Sequence, residues 1–543
     1  MLVGAIAEML TIGAALPFLA LIAAPEQVTR WPAISRQVAA IGGDPVLAAA
    51  LFLAAAAVAA AMVRVLLVWA IHRFATAVGH DLAARIFGRM LRQPYAAYVR
   101  RSSSEILSGV ERIQQVITDI LLPGMQGVTS GFIALAIMTL LFLIDAFAAV
   151  TGALVVTAVY AAISLAMRGR LLRNSAVLSE ASAARLKIVQ EGLGGIRDVI
   201  LDRSQPLFEE KFRRVDTRYR RAQSVTAFIA TAPRFVIEAA GIVAIALIAW
   251  AMSREPGGII AAIPVLGALA LGAQRLLPLL HRSYSGLSLS AGAFGLLGDV
   301  IALVEAPVIG DDPPGAGAEL AFNEAIVFDS VCYRHEDGGF ALRNIDLEIP
   351  RGARIGVTGP TGSGKSTLLD LLMGLLAPDS GAVRIDGLPL AAATRALWQA
   401  KIAHVPQGVY LADDSIAANI AFGVEPAAVD RARLGVIVAA AQLDAFVLTL
   451  PEGLETRVGE RGIRLSGGQR QRIGLARALY KQASVLILDE ATSVLDDATE
   501  AAVMRAIMAL GKDITIVMIA HRQSTLGGCD RLIRLEEGQV VKS

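Results

Sequence analysis

Gly359-Pro-Thr-Gly-Ser-Gly-Lys-Ser-Thr367 decides how the rest of this chain is read. It fits G-x-x-x-x-G-K-[ST], with Gly359, Gly364, Lys365 and Ser366 in the defining places. A short apolar strand, Arg354-Ile-Gly-Val-Thr358, stands before it, and a helical run, Ser366-Thr-Leu-Leu-Asp-Leu-Leu-Met-Gly374, follows. Glycines let backbone N–H groups wrap a phosphate, and the helix N-terminus adds partial positive charge. Pro360, Thr361, Gly362, Ser363 and Thr367 fill the remaining places of the cradle. Lys365 is expected to reach the β- and γ-phosphates of a nucleotide and Ser366 to ligate Mg²⁺.

Working outward, the chain is too long, at 543 residues, for one ordinary domain. It is 55% hydrophobic and only 18% charged, less charged than soluble domains usually are. The apolar excess sits before residue 290, which predicts a membrane region fused to a soluble one. A net charge of +2 carries no nucleic-acid signal. Cys332 and Cys529 are the only cysteines, so a disulfide framework and a cysteine metal site are both excluded, as suits a reducing cytosol.

The first half reads as six apolar spans, over 1–24, 46–71, 121–144, 146–167, 225–252 and 259–280. The first lacks the basic leader of a secretory signal. Between spans two and three lie Arg73, Arg85, Arg89, Arg92, Arg100, Arg101 and Arg112, a density that marks a cytoplasmic segment. Residues 168–223 form a second long charged segment, whereas 25–45, Asp145 and 253–258 make short outer connections. Both termini then face the cytoplasm. The expected division is a transmembrane domain over 1–285, a linker over 286–318 and a soluble α/β domain over 319–543.

Val485-Leu-Ile-Leu-Asp-Glu490 is an apolar strand ending in two carboxylates, where ligands of an open α/β sheet sit. Asp489 suits the Mg²⁺ shell, and Glu490 can act as general base on the attacking water. Leu465-Ser-Gly-Gly-Gln469 places Ser466, Gly467, Gly468 and Gln469 just before a helix over 470–479, a second anion site at a helix N-terminus. One nucleotide does not need two such sites in one chain. Two chains facing head-to-tail do.

On these residues the second half resembles an ATP-binding-cassette ATPase, with Leu465-Ser-Gly-Gly-Gln469 as its signature. The resemblance implies two cassettes sandwiching two ATP molecules, and it assigns further roles. Gln407, in His404-Val-Pro-Gln407, matches the glutamine that touches Mg²⁺ or water and senses the membrane domain. Ser493-Val-Leu-Asp496 matches the D-loop, and His521 the switch histidine at the γ-phosphate. Adenine is usually stacked on an aromatic side chain just after the first strand. Here His335 occupies that place, with Tyr333 expected in the strand core.

Taken whole, the chain is similar to a half-transporter of the ABC exporter type. The implied fold is an all-α, six-helix transmembrane domain of type I exporter form followed by an α/β P-loop cassette. The implied partners are a second identical chain, the bilayer and an amphipathic cargo, in a bacterial inner membrane with the cassette in the cytoplasm. Residues 95–101 and 208–212 are expected to carry motion between cassette and spans. Ala15-Leu-Pro-Phe-Leu19, Gln190-Glu-Gly-Leu-Gly-Gly-Ile-Arg-Asp198 and Arg275-Leu-Leu-Pro278 resemble flippases of lipid-linked oligosaccharides. A general lipid, peptide or drug exporter and a cassette-gated channel share the same cassette motifs. Glu8, Arg64, Arg234, Glu238 and Arg275 lie in or near spans, where charge is costly and faces a cavity or a partner. The reading pairs Glu8 with Arg275 and Arg234 with Glu238, leaving Arg64 to make an inner cavity positive.

Overall fold

An apolar segment in hydrocarbon has no water to satisfy its backbone, and a helix satisfies it within the segment. The long apolar segments of the first half form helices. The computed structural model describes residues 2–23, 45–100, 103–144, 146–252, 258–308, 320–335, 339–492, 494–520 and 522–541. The expectations for 24–44, Asp145, 253–257 and 309–319 fall outside them. The chain divides into two units, Met1–Arg92 with Arg101–Pro307, and Gln93–Arg100 with Val308–Ser543.

Helices cover all six apolar stretches. They are α1 (Leu2–Ala23), α2 (Pro45–Leu91), α5 (Leu122–Ile144), α6 (Ala146–Gly194), α9 (Pro233–Met252) and α10 (Gly258–Gly292). Between them stand α3 (Tyr95–Arg100), α4 (Ser103–Val116), α7 (Ile196–Leu201) and α8 (Gln205–Thr231). Helix α2 has 47 residues and α6 has 49. At 1.5 Å per residue each runs about 70 Å, more than twice the ~30 Å hydrocarbon core, so both extend well beyond it. Among the described residues, Val46–Leu91, Glu111–Leu143 and Gln205–Leu247 are long and apolar enough to cross a membrane by themselves. Short α3 belongs to the second unit, where Ala96 packs on the soluble core.

Residues 286–305, which fall in the stretch expected as linker, are helical. Helix α10 continues to Gly292, and α11 (Phe294–Glu305) follows after a 54° bend. Gly286, Gly292 and Gly295 are packing residues, and so is Gly272 earlier in α10. A Cβ on Gly286 would sit 2.3 Å from the Pro123 carbonyl oxygen, and one on Gly272 would sit 2.8 Å from Leu141. Small residues thus let α10 and α5 approach backbone to backbone. Beyond the bend, the Gly295 N–H donates to Ser175 Oγ (2.7 Å) and Ser179 Oγ donates to Asp299 (2.6 Å). Arg112 pairs with the same carboxylate at 3.1 Å.

In the second unit, β1 (Ala325–Arg334), β2 (Phe340–Pro350), β4 (Ser380–Ile385) and β5 (Leu388–Pro389) form an antiparallel sheet ordered β2-β1-β4-β5. A six-stranded sheet is ordered β10-β9-β3-β8-β7-β6. It comprises β3 (Arg354–Thr358), β6 (Ile402–Val405), β7 (Val485–Asp489), β8 (Thr515–Ile519), β9 (Arg531–Glu536) and β10 (Gln539–Val541), parallel except for β10. Period-two alternation divides its side chains between two cores. Val485, Ile487, Val517 and Ile519 pack with Leu368, Leu369 and Leu372 of α12 (Lys365–Leu372). Leu486, Leu488, Ile516 and Met518 pack with Ile473, Leu475 and Ala476 of a 14-residue helix, Gly467–Tyr480.

Candidate nucleotide site and membrane cavity

Strand β3 lies inside the sheet between β9 and β8, and the phosphate loop leaves its carboxyl end. Gly359, Gly362 and Gly364 have φ of 145°, 82° and 100°, a region that side chains disfavour. At Gly359 a Cβ would also lie 2.2 Å from the Leu535 carbonyl oxygen. Gly364 caps α12, which opens the helix N–H groups toward the loop. The Lys365 ammonium donates to the Gly359 and Pro360 carbonyl oxygens, both at 2.9 Å. Ser363 is buried, and Ser366 is exposed on the first turn of α12.

One strand beyond β8, β7 ends at Asp489, and the backbone then turns sharply. Glu490 has φ of 49°, left-handed for a residue with a Cβ. Its carboxylate Oε2 accepts a hydrogen bond from Gln407 Nε2 at 2.8 Å. Burial pushes the Asp489 carboxyl up, the Glu490 carboxylate adds to this, and the Lys365 ammonium pulls it back. The structure therefore brings Lys365, Asp489, Glu490 and Gln407 to one end of the sheet. Ser466 and Gln469 lie elsewhere in the chain. They start the helix on the opposite core from α12, with a reciprocal cap: Ser466 Oγ accepts from the Gln469 N–H and Gln469 Oε1 from the Ser466 N–H.

The chain matches the family description "ABC transporter transmembrane region" over residues 11–254 and "ABC transporter" over 342–493. The ATP-dependent lipid A-core flippase of Cupriavidus metallidurans is 32% identical over 479 residues, covering 84% of this chain and 77% of the relative. That of Ralstonia nicotianae is 32% identical, covering 85% and 78%. The chain belongs to the ABC transporter family. A bacterial Atm1-family ABC exporter solved with ATP bound shares its fold, with a TM-score of 0.76 and 23% identity over 98% of this chain and 94% of that one. The transporter is thus a multi-pass membrane protein and an ATPase coupled to transport, with a type I exporter fold. Each chain carries one transmembrane region and one cassette.

Other expected residues of the transporter divide in three. His335 lies exposed just past β1, edge-on to Tyr333 (5.2 Å between ring centroids), while Tyr333 packs on the core. His521 and Ser493 fall outside the described residues. Their neighbours are anchored together, however. Thr492 and Thr525 donate to Glu500 Oε1 at 2.8 and 2.7 Å, and Arg522 pairs with Glu500 Oε2 at 2.5 Å. Asp496 caps the following helix through the Thr499 N–H.

Asp370 was not singled out by any motif, although it lies on the face of Ser366, one turn on. Burial, and then the Asp489 carboxylate, push its carboxyl up to about 6. In the unfolded chain it titrates near 3.9. The folded chain therefore holds this proton longer. Stability falls as pH rises from about 4 to about 6 and stays reduced above. Asp370→Asn is expected to stabilise the transporter at pH 7.5 by about 1 kcal/mol, after discounting for solvent screening of a half-buried group. The gain should vanish near pH 4. Denaturant melts in EDTA at both pH values check it.

In the transmembrane unit, a cavity of about 980 Å³ is lined by α1, α2, α5 and α10. Its floor carries a corrected pairing. Glu8, 3% exposed, is closest to Arg64 (2.9 Å to Oε1), while Arg275 stands 4.0 Å from Oε2. Arg64 is not left over; both arginines share one carboxylate. Arg282 adds a third guanidinium, and Gln126 and Gln274 add amides. Val65, Val68, Ile71 and Leu279 supply apolar wall. Arg234 and Glu238 pair along α9 at 2.6 Å, as their i,i+4 spacing predicts.

Proposed function

We propose that two identical copies of this transporter move a lipid-like cargo with an anionic head group outward across a bacterial inner membrane. The observation that carries the reading is the cavity in which Arg64 and Arg275 share one buried carboxylate and Arg282 joins the lining beside an apolar wall. Guanidinium forks suit phosphate or pyrophosphate oxygens, and the apolar wall suits acyl or prenyl chain. Relatives named lipid A-core flippases support the same class of cargo.

ATP would lie on the phosphate loop, with Lys365 at its terminal phosphates and His335 against adenine. Ser366, Gln407 and Asp489 offer hydroxyl, amide and carboxylate oxygens, a hard donor set that fits Mg²⁺. The Gln407 amide nitrogen is spent on Glu490, which leaves its oxygen to face a cation. The ion would neutralise charge on the β- and γ-phosphates. Glu490 takes the proton of the attacking water, and His521 contacts the γ-phosphate. Ser466, Gly467, Gly468 and Gln469 of a second copy close the site. Within one chain these residues sit on the opposite core from α12, and closure across two chains accounts for that separation.

ATPase activity in proteoliposomes tests the cargo. A phosphate-bearing polyprenyl glycolipid should stimulate turnover, whereas its uncharged analogue should not. Arg64→Ala should weaken that stimulation about tenfold in lipid concentration, because it removes a charged contact and leaves the Glu8 carboxylate less compensated. Arg282→Ala should weaken it less. Equal stimulation by charged and neutral lipids, untouched in both variants, would instead make this a general apolar exporter.

A further inference from the structure

The turn after β7 holds Glu490 in a conformation that a side chain disfavours, at φ of 49°. Such a backbone persists only where its surroundings hold it, and at least three contacts do so here. The Glu490 N–H donates to the Ile519 carbonyl oxygen of β8 at 3.0 Å. Its carboxylate accepts from Gln407 at 2.8 Å. Its carbonyl oxygen accepts from Gln471 Nε2 at 3.1 Å. The first contact comes from the adjacent strand, and the second joins two residues that the sequence motifs single out for other roles. The third matches no motif read from the sequence.

Gln471 is 3% exposed and belongs to the helix that begins just after Ser466. Apolar Ile473, Leu475 and Ala476 of that helix are buried around the same core. An amide buried in such surroundings is costly unless it is hydrogen-bonded. Its Oε1 has no hydrogen-bond partner among the described residues. The contact to Glu490 is thus the one its amide makes there. The same helix starts in the turn where Gly467 lies 3.8 Å from Val494 and Gly468 lies 3.3 Å from Leu495, measured from an added Cβ. One helix therefore joins the signature turn to the side chain that meets the Glu490 peptide.

We propose that Gln471 is a positioning residue for hydrolysis, its amide holding the Glu490 peptide so that the carboxylate stays aimed at the attacking water. The inference rests on the reading of Glu490 as the general base. It assigns Gln471 no contact with nucleotide. Loss of the amide donor should misaim the base without weakening ATP binding.

The test uses full-length protein in proteoliposomes with three variants. Gln471→Glu keeps length and polarity but removes the donor; Gln471→Met keeps length alone. Turnover against ATP concentration is measured beside the affinity for a non-hydrolysable ATP analogue. The expected result is a fall in kcat of about tenfold or more in both, with analogue affinity within about twofold of wild type. Wild-type kcat in either variant overturns the proposal, as does an effect confined to KM. Loss of analogue binding in both gives Gln471 a structural role and overturns it as well. Glu490→Gln runs in parallel. If that variant still turns over, the base assignment fails and this inference falls with it. If it is inactive while the Gln471 variants are not, this inference fails alone.

Discussion

Glu490→Gln is expected to lower steady-state ATP hydrolysis at least about a hundredfold while leaving ATP binding intact, since general-base catalysis contributes on that scale. The substitution preserves shape. Glutamine can still meet Gln407, whose amide now sits 2.8 Å from Oε2, and the backbone turn at φ 49° needs no change. What disappears is the lone pair of an anion that can accept a proton from water. A second consequence runs the other way. The Glu490 carboxylate is one of the causes that push Asp489 up, after burial, so removing it brings Asp489 closer to an ordinary, readily ionised carboxylate. Metal and nucleotide should then bind at least as well. Filter binding of ATP beside phosphate release separates the two effects. Residual turnover above about a tenth of wild type would remove Glu490 from the role of base.

Gly286→Val should disrupt the transmembrane unit. The Cβ that valine brings falls 2.3 Å from the Pro123 carbonyl oxygen and 3.1 Å from Gly127 Cα. Both neighbours are backbone, so no side chain can rotate away. Helices α5 and α10 would have to part, which also loosens the close contacts at Gly127 and Gly272. Overpacking of this kind costs about 3 kcal/mol, the upper end of the usual range, because two helix backbones must move. The melting temperature in detergent should fall clearly below wild type. Gly298→Ala is the control, because a Cβ there meets nothing within 4 Å. Equal melting of the two variants would mean that the α5–α10 contact is not tight.

These expectations draw unequally on sequence and structure. Strand β3 and its loop, the carboxylate pair ending β7 and the helix after Ser466 all occupy the places read from the sequence. Each is a local pattern, in which a phosphate-binding glycine run or an acidic strand end carries its chemistry within a few residues. The six helices of the membrane region were legible for a related reason. Apolar length alone obliges a segment to satisfy its own backbone.

Pairings across the chain were less legible. Arg64 and Arg275 both carry the right charge and lie in the right part of a span, and hydropathy says nothing of which faces Glu8 more closely. Helix rotation decides that, and rotation is set by packing. The glycines of α10 look like linker in one dimension and become contact surface only when α5 is laid against them. Gln471 lies 19 residues from Glu490 and joins it only because helix and strand meet at one end of the sheet. The sequence by itself determined the ATPase, the membrane and the local elements that carry the glycine loop, the acidic strand end and the helix after Ser466. The tertiary structure alone decided which arginine holds Glu8, why Gly286 must be glycine and what braces the Glu490 peptide. These depend on side chains brought together from distant positions, and that geometry exists only once the helices and strands have packed.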